Sequence, residues 1–244
     1  MIEVDTEKVR EVFISELKKI KREDCDIDGL IGYLDAHEFF TSPATTKYHS
    51  AFKGGLALHS LQVYKNLCDL VSVFATKEVP NPEYIPLVER EPDVAYDDIP
   101  ATIRVPVYDE DSLIILGLLH DVSKAGLYES YFKNKKVYTK EPTKQSKKDE
   151  LGYFEWKPEE AFQVKEAQDR MIAGSRAFNS YYITSMFIPM THEEMSAMIN
   201  QTAGTDKTEN ISDLGDILSK FNLTVFLHCA DMISSYCQEK LDEE

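Results

Sequence analysis

Three apolar runs in this 244-residue chain carry side chains that a dry interior would not choose. His59 lies inside GGLALHSLQV, the doublet His120-Asp121 closes LIILGLLHD, and Asp231 sits within VFLHCADMIS. A carboxylate or imidazole in such a run is costly to bury unless it is paired or bound to a metal. Taken alone, His120-Asp121 reads first as a helix terminus with two polar residues facing water. The three runs together read differently. Two imidazoles and two carboxylates converging from separate helices form a mixed N/O set suited to Mn, Fe, Co, Ni, Zn or Mg.

The elements that must position these groups are mostly helical. Ile2, Val9, Phe13, Leu17 and Ile20 have helical spacing over 2–20, and Asp28 to Phe40 reads as a second short helix. Gly54-Gly55 opens a longer helix from Leu56 to about Phe74. Asp111 reads as the N-cap of the buried stretch Ser112 to His120. Helical spacing returns at Pro158, Thr191 and Glu194 form a capping box for Glu193 to Thr202, and a last helix runs from about Leu223 to Leu241. Two segments break the pattern. Six of the ten prolines fall between Val79 and Val107, where Thr102 to Tyr108 is the best strand candidate. KKVYT and GYFEW flank KEPTKQSKKDE as a small β-hairpin with a lysine-rich tip. The expectation is an all-α bundle, one domain over 1–244, with a Pro-rich loop insertion at about 76–110 and a hairpin insertion at about 128–157.

The order His59, His120-Asp121, Asp231 resembles the HD-domain metal-dependent phosphohydrolase superfamily, an all-α fold named for its His-Asp doublet. FFTSPATTKYHSAFKGGLALHSLQVY is similar to the helix entry of bacterial and phage members, LLHDVSKAGLYE to the doublet segment, and LHCADMISSY to the helix that supplies the last aspartate. The resemblance covers roughly a quarter of the chain. It implies that His59, His120, Asp121 and Asp231 ligate one divalent ion. That ion would acidify a water and polarise a phosphoryl oxygen for hydrolysis of a phosphoester or phosphoanhydride. Asp121 and Lys124 would then be catalytic, Lys124 being similar to the lysine of an HDxxK variant. His49, Lys53, Lys124 and Arg176 are the candidate contacts to substrate phosphate. His228 is read as a supporting or core residue, and His37 and His192 as surface or packing residues.

The chain departs from two-metal members of that family. Arg176 in GSRAFNS and Gln201 in AMINQTAG stand roughly where further histidines would be, so a single ion is expected. Lys plus Arg is 27 against 43 Asp plus Glu, a formal charge of −16, which disfavours duplex nucleic acid and anionic membranes as partners. A small anionic nucleotide in a locally positive cleft suits it better. The remaining readings are a 3′–5′ exonuclease or phosphodiesterase, and a degenerate HD domain that binds a nucleotide or partner protein. No apolar run reaches the ~20 residues of a membrane span, and the four cysteines form no Cys-x-x-Cys pair. A cytoplasmic setting is expected. Substrate base, sugar and oligomeric state are not legible.

Overall fold

A computed structural model describes residues 4–84, 99–170, 174–202 and 211–239. Helix α1 (Thr6–Leu17) is capped by the Asp5 carboxylate, which accepts from the Lys8 N–H, and buries Phe13 and Leu17. Helix α2 (Ile27–Ala36) is capped by Asp26 and buries Leu30 and Leu34. It stops at Ala36 rather than Phe40, because Glu38 takes a left-handed φ of 59° and turns Phe39 and Phe40 into the core beside Phe13. Helix α3 (Gly55–Phe74) and helix α4 (Glu110–Leu119) form the centre. From Ser112 to Leu119 every residue of α4 is buried. A helix apolar on all sides can only be a central one. Helices α5 (Arg176–Ser185), α6 (His192–Ile199), α7 (Ile211–Lys220) and α8 (Asn222–Ile233) complete the helical set among the described residues. The capping box expected of Thr191 and Glu194 is present.

At their crossing, α3 and α4 approach closely because Gly117 has no side chain. A Cβ there would lie 2.5 Å from the Tyr64 Cα, which real contacts do not allow. Gly117→Ala should therefore push the two central helices apart and cost about 1–3 kcal/mol, readable as a lowered urea midpoint. An unchanged midpoint would mean that the two helices can separate freely.

The N-cap of α4 is Asp109, not Asp111. The Asp109 carboxylate accepts from the Ser112 N–H at 2.7 Å. Asp111 instead accepts from the Lys21 N–H at 3.1 Å, tying α4 to the segment after α1.

The all-α expectation is overturned. Two antiparallel sheets stand beside the helices, with 18% of the described residues in strands against 49% in helices. Strands β1 (Thr76–Pro80) and β2 (Thr102–Pro106) pair through the Pro-rich segment, whose middle, 85–98, lies outside the described residues. Strands β3 (Tyr128–Thr139), β4 (Lys147–Asp149) and β5 (Gly152–Val164) form a second sheet in the order β3-β5-β4. The β3–β5 ribbon is far longer than the runs KKVYT and GYFEW that announced it. Most of it is exposed on both faces, so no alternation of apolar and polar residues marks its extent. Pro158, read as a helix start, lies in β5 opposite Asn134. There β5 has a neighbour on one side only, the edge setting in which a strand proline is tolerated. Ile2 and the residues from 240 onward, included in the expected first and last helices, lie outside the described residues.

Candidate functional site

His59 sits in the second turn of α3, and its position depends on the Gly54-Gly55 turn. Gly54 has a φ of 82°, and a Cβ on Gly55 would meet the Ser50 carbonyl oxygen at 2.0 Å. Only glycine lets the 41–53 segment lie this close to the helix start. His120 is the C-cap residue of α4, and Asp121 begins a 3-10 turn, Val122–Lys124, so the change of backbone direction lets both side chains of the doublet turn inward. Asp231 comes from α8.

Three of the four expected ligands converge on one point, and Asp121, bonded to Lys124, lies beside them. Among the described residues, ligand atoms of His59, His120 and Asp231 all lie within 4.8 Å of one another. His59 Nε2 is 3.2 Å from Asp231 Oδ1 and 3.8 Å from Asp121 Oδ2, and His120 Nε2 is 3.5 Å from Asp121 Oδ2. Both imidazoles are buried and held by their other nitrogen. The His120 Nδ1–H donates to the Gly117 carbonyl at 3.0 Å, which leaves Nε2 as an acceptor when the ring is neutral. Burial lowers the His120 pKa and so favours that neutral form. The His59 Nδ1–H donates to Glu239 Oε1 at 2.9 Å. The Nε2 atoms of both rings are buried without a hydrogen-bond partner. Buried polar atoms rarely go unsatisfied without a reason.

Electrostatics in the cluster are balanced between charges of both signs. Burial opposes charging of His59, but Asp231 and Glu239 outweigh it and raise the ring to about 9. Burial likewise opposes ionisation of Asp121, yet the Lys124 ammonium at 2.5 Å and the two imidazoles hold it at about 2. Asp231 is also held well below the usual carboxylate range, burial being overcome by His59 and His120. The residues fit a divalent cation. Ligand atoms about 2.0–2.2 Å from one ion lie at most ~4.4 Å apart, close to the spread observed here. The free His120 Nε2, the His59 Nε2 once a cation displaces its proton, and two ionised carboxylates are the donor chemistry such an ion takes.

The other expected site residues are distributed around this cluster. The His49 ring lies 5.0 Å from that of His59, and its Nε2 is 3.3 Å from Ser235 Oγ. Burial, with the His59 charge beside it, lowers His49 to about 4, so it stays neutral near pH 7. Lys124 is nearly buried and bonded to Asp121, which makes it a support for that carboxylate before any contact with substrate. Arg176 opens α5 and is exposed. Lys53 does not join the cluster. It lines a separate cavity of about 420 Å3 with Lys165, Tyr128 and Phe162. Gln201, one of the two positions where the family resemblance led us to look for a missing histidine, is a structural clamp. Its Nε2 donates to the His120 carbonyl at 2.8 Å while its own carbonyl accepts from His228 Nδ1 at 2.7 Å.

Glu239 was not foreseen. It follows a π turn, Ser234–Gln238, that continues α8, and its N–H donates to the Ser234 carbonyl. Its carboxylate accepts from His59, from Ser50 Oγ at 2.5 Å and from Ser234 Oγ. In sequence it is masked by the acidic stretch QEKLDEE, where one more carboxylate reads as solvated charge. Carboxylates that orient a ligating imidazole typically govern metal affinity by 10–100-fold. Glu239→Ala should weaken divalent-ion binding by about that factor in a chelator-competition titration, with Glu239→Gln intermediate. Equal affinities in all three proteins would remove Glu239 from the site.

Comparison with family models, curated proteins and solved structures gave no match. Among the described residues, no helix is long and apolar enough to cross a membrane.

Proposed function

We propose that this chain is a metal-dependent phosphohydrolase acting on a phosphoester or phosphoanhydride of a nucleotide, with His59, His120, Asp121 and Asp231 holding one divalent ion. The observation that carries this reading is the convergence of His59, His120 and Asp231 within 4.8 Å of one another, with the buried His120 Nε2 left without a partner. When bound, such an ion supplies Lewis-acid polarisation of a phosphoryl oxygen and a source of hydroxide near neutral pH. The chain's own groups do the rest. Lys124 keeps Asp121 ionised and fixed. Glu239 and the Gly117 carbonyl set the two imidazole tautomers. His49, neutral and 3.3 Å from Ser235, adds a hydrogen-bonding nitrogen rather than a charge at the edge of the cluster. Arg176 supplies a cation for substrate phosphate.

The test is metal content of the purified protein, followed by a nucleotide panel with Mn, Mg, Co, Ni, Fe and Zn. The reading expects about one ion per chain and phosphate release from at least one nucleotide. Protein loaded with each metal that releases phosphate from none of them would overturn it.

A further inference from the structure

The β3–β5–β4 sheet has one face whose composition its packing does not require. Residues opposite one another in an antiparallel ladder share a face, so Tyr128, Ser130, Phe132, Asn134, Lys136 and Tyr138 line up with their β5 partners, among them Phe162, Trp156 and Phe154. Towards the tip, Phe132 is 75% exposed, Trp156 51% and Tyr138 44%. Three large rings open to water on one face are more than scattered surface residues. Trp156 and Tyr138 are also held in place. Phe154 is buried between them, with its centroid 5.8 Å from Trp156 at 88° and 6.0 Å from Tyr138. Lys136 Nζ caps the group, 4.1 Å from the Phe154 centroid and 2.6 Å from the Asp149 carboxylate.

The charge of this region opposes that of the molecule. Between Lys133 and Lys148 the chain has seven lysines and one acidic residue, within a protein of net charge −16. Lys140, Lys144 and Lys147 are exposed and form no ion pair among the described residues. Lys147 lies opposite Phe154 on the aromatic face. Followed to its root, the same face becomes a wall of the 420 Å3 cavity, through Tyr128, Ser130, Glu160 and Phe162, with Lys53 and Lys165 also lining it. Tyr128 in turn feels the Lys124 ammonium that is bonded to Asp121. Aromatic rings thus follow one another from the tip to the cavity, with unpaired lysines at the tip and Lys53 and Lys165 beside Glu38, Glu129 and Glu160 at the root.

We propose that this face is a binding track for single-stranded nucleic acid, along which unpaired bases stack on Trp156, Phe132 and Tyr138 while lysines follow the backbone towards the cluster. Stacking on exposed rings combined with a positively charged path is how single strands are held without sequence readout. Phe132 and Lys136, the partner of Trp156, are four residues apart on β3, or about 13 Å, so more than one base can be engaged at once. The overall negative charge still disfavours a duplex, whose stacked bases offer no free faces. In naming a substrate class for the cluster the track rests on the phosphohydrolase reading; the binding itself does not.

Trp156 is the only tryptophan in the chain, so stacking on this face has its own optical signal. Fluorescein-labelled 12-mers of dT and of U are titrated into the full chain in EDTA, reading oligomer anisotropy and, with unlabelled strands, tryptophan quenching. We expect saturable binding with quenching for at least one oligomer, weakened by added salt. A preference for U would show contacts to the 2′-hydroxyl, and equal binding would assign the affinity to stacking and phosphates. Trp156→Ala and Phe132→Ala should each weaken binding about tenfold, and Lys144→Glu with Lys147→Glu should weaken it further, in proteins whose circular dichroism is unchanged. Absence of saturable binding, or binding indifferent to these exchanges, would overturn the track. Sedimentation showing a dimer that the aromatic variants dissolve would give the face to a second copy and overturn it equally. Because EDTA keeps the cluster empty, the two readings fail separately. Oligomer binding with no phosphate release from any nucleotide under any metal rejects the phosphohydrolase, whereas nucleotide hydrolysis without oligomer binding rejects the track.

Discussion

Asp231→Asn should lower divalent-ion affinity by more than about 100-fold and remove phosphate release with it. The factor exceeds that expected for Glu239 because the carboxylate itself is lost from the donor set, whereas the loss of an orienting partner typically costs 10–100-fold. The substitution is nearly isosteric, and the Asp231 side chain is one-third exposed, so the fold has little reason to respond. Ser235 Oγ, which donates to Asp231 Oδ1 at 3.1 Å, keeps an acceptor in the amide oxygen. Calorimetric titration with Mn, alongside a thermal melt in EDTA, separates the two effects. A variant that binds metal like the parent would show that the convergence of His59, His120 and Asp231 is a buried ion-pair network and not a metal site.

Glu194→Ala should be the most destabilising single exchange outside the hydrophobic core, by about 3 kcal/mol or more. Its carboxylate, almost fully buried, accepts from both Arg22 guanidinium nitrogens at 2.8 and 2.6 Å, from Ser112 Oγ at 2.6 Å and from the Thr191 N–H at 2.7 Å. One side chain thereby joins the segment after α1, the start of α4 and the cap of α6. Removing it leaves the Arg22 charge partly buried without its partner. Burial alone would raise the Glu194 pKa, but Arg22, Ser112 and the Thr191 N–H outweigh it and the group is lowered. A carboxyl lowered by folding stabilises the protein fully above its unfolded value of about 4.3. That contribution fades as pH falls below this value and is lost once pH passes through the lower folded value. Urea unfolding should therefore show a gap between parent and Glu194→Gln that is widest near pH 7 and narrows below about pH 4. A gap that stays constant with pH would mean that the carboxylate charge contributes nothing.

The candidate site was legible where polar residues interrupt apolar runs. His59, His120, Asp121 and Asp231 could be picked out because burial makes such residues expensive, and that cost can be read without knowing which helices meet. Glu239 and Ser50 could not, because neither interrupts anything apolar. Their role exists only once the π turn after α8 and the Gly54-Gly55 turn bring them to His59. Capping shows the same limit. Asp109 and Asp111 are equally good caps for α4 in sequence, and the Lys21 N–H, 90 residues away, decides between them. The fold class failed for a related reason. A ribbon solvated on both faces needs no apolar stripe, so only KKVYT is marked as strand in sequence, where the whole of YESYFKNKKVYT forms a twelve-residue strand. The helices announced themselves by what they bury, and the ribbon buries little.

Glu239 reaches His59 across 180 residues of sequence, and Asp231 reaches it across 172. Contacts that distant must wait for nearly everything between them, both in loop-closure entropy and in time. At a ribosomal rate of roughly 5–20 residues per second, about 10 to 35 seconds separate the appearance of His59 from that of Asp231. From the synthesis of His120-Asp121 onward the nascent chain holds two histidines and an aspartate without the groups that complete the cluster. Under the metal-site proposal, ion capture belongs to the last stage of maturation, when α8 docks. A chain stalled or cut before that helix would bury its central core and still be unable to load.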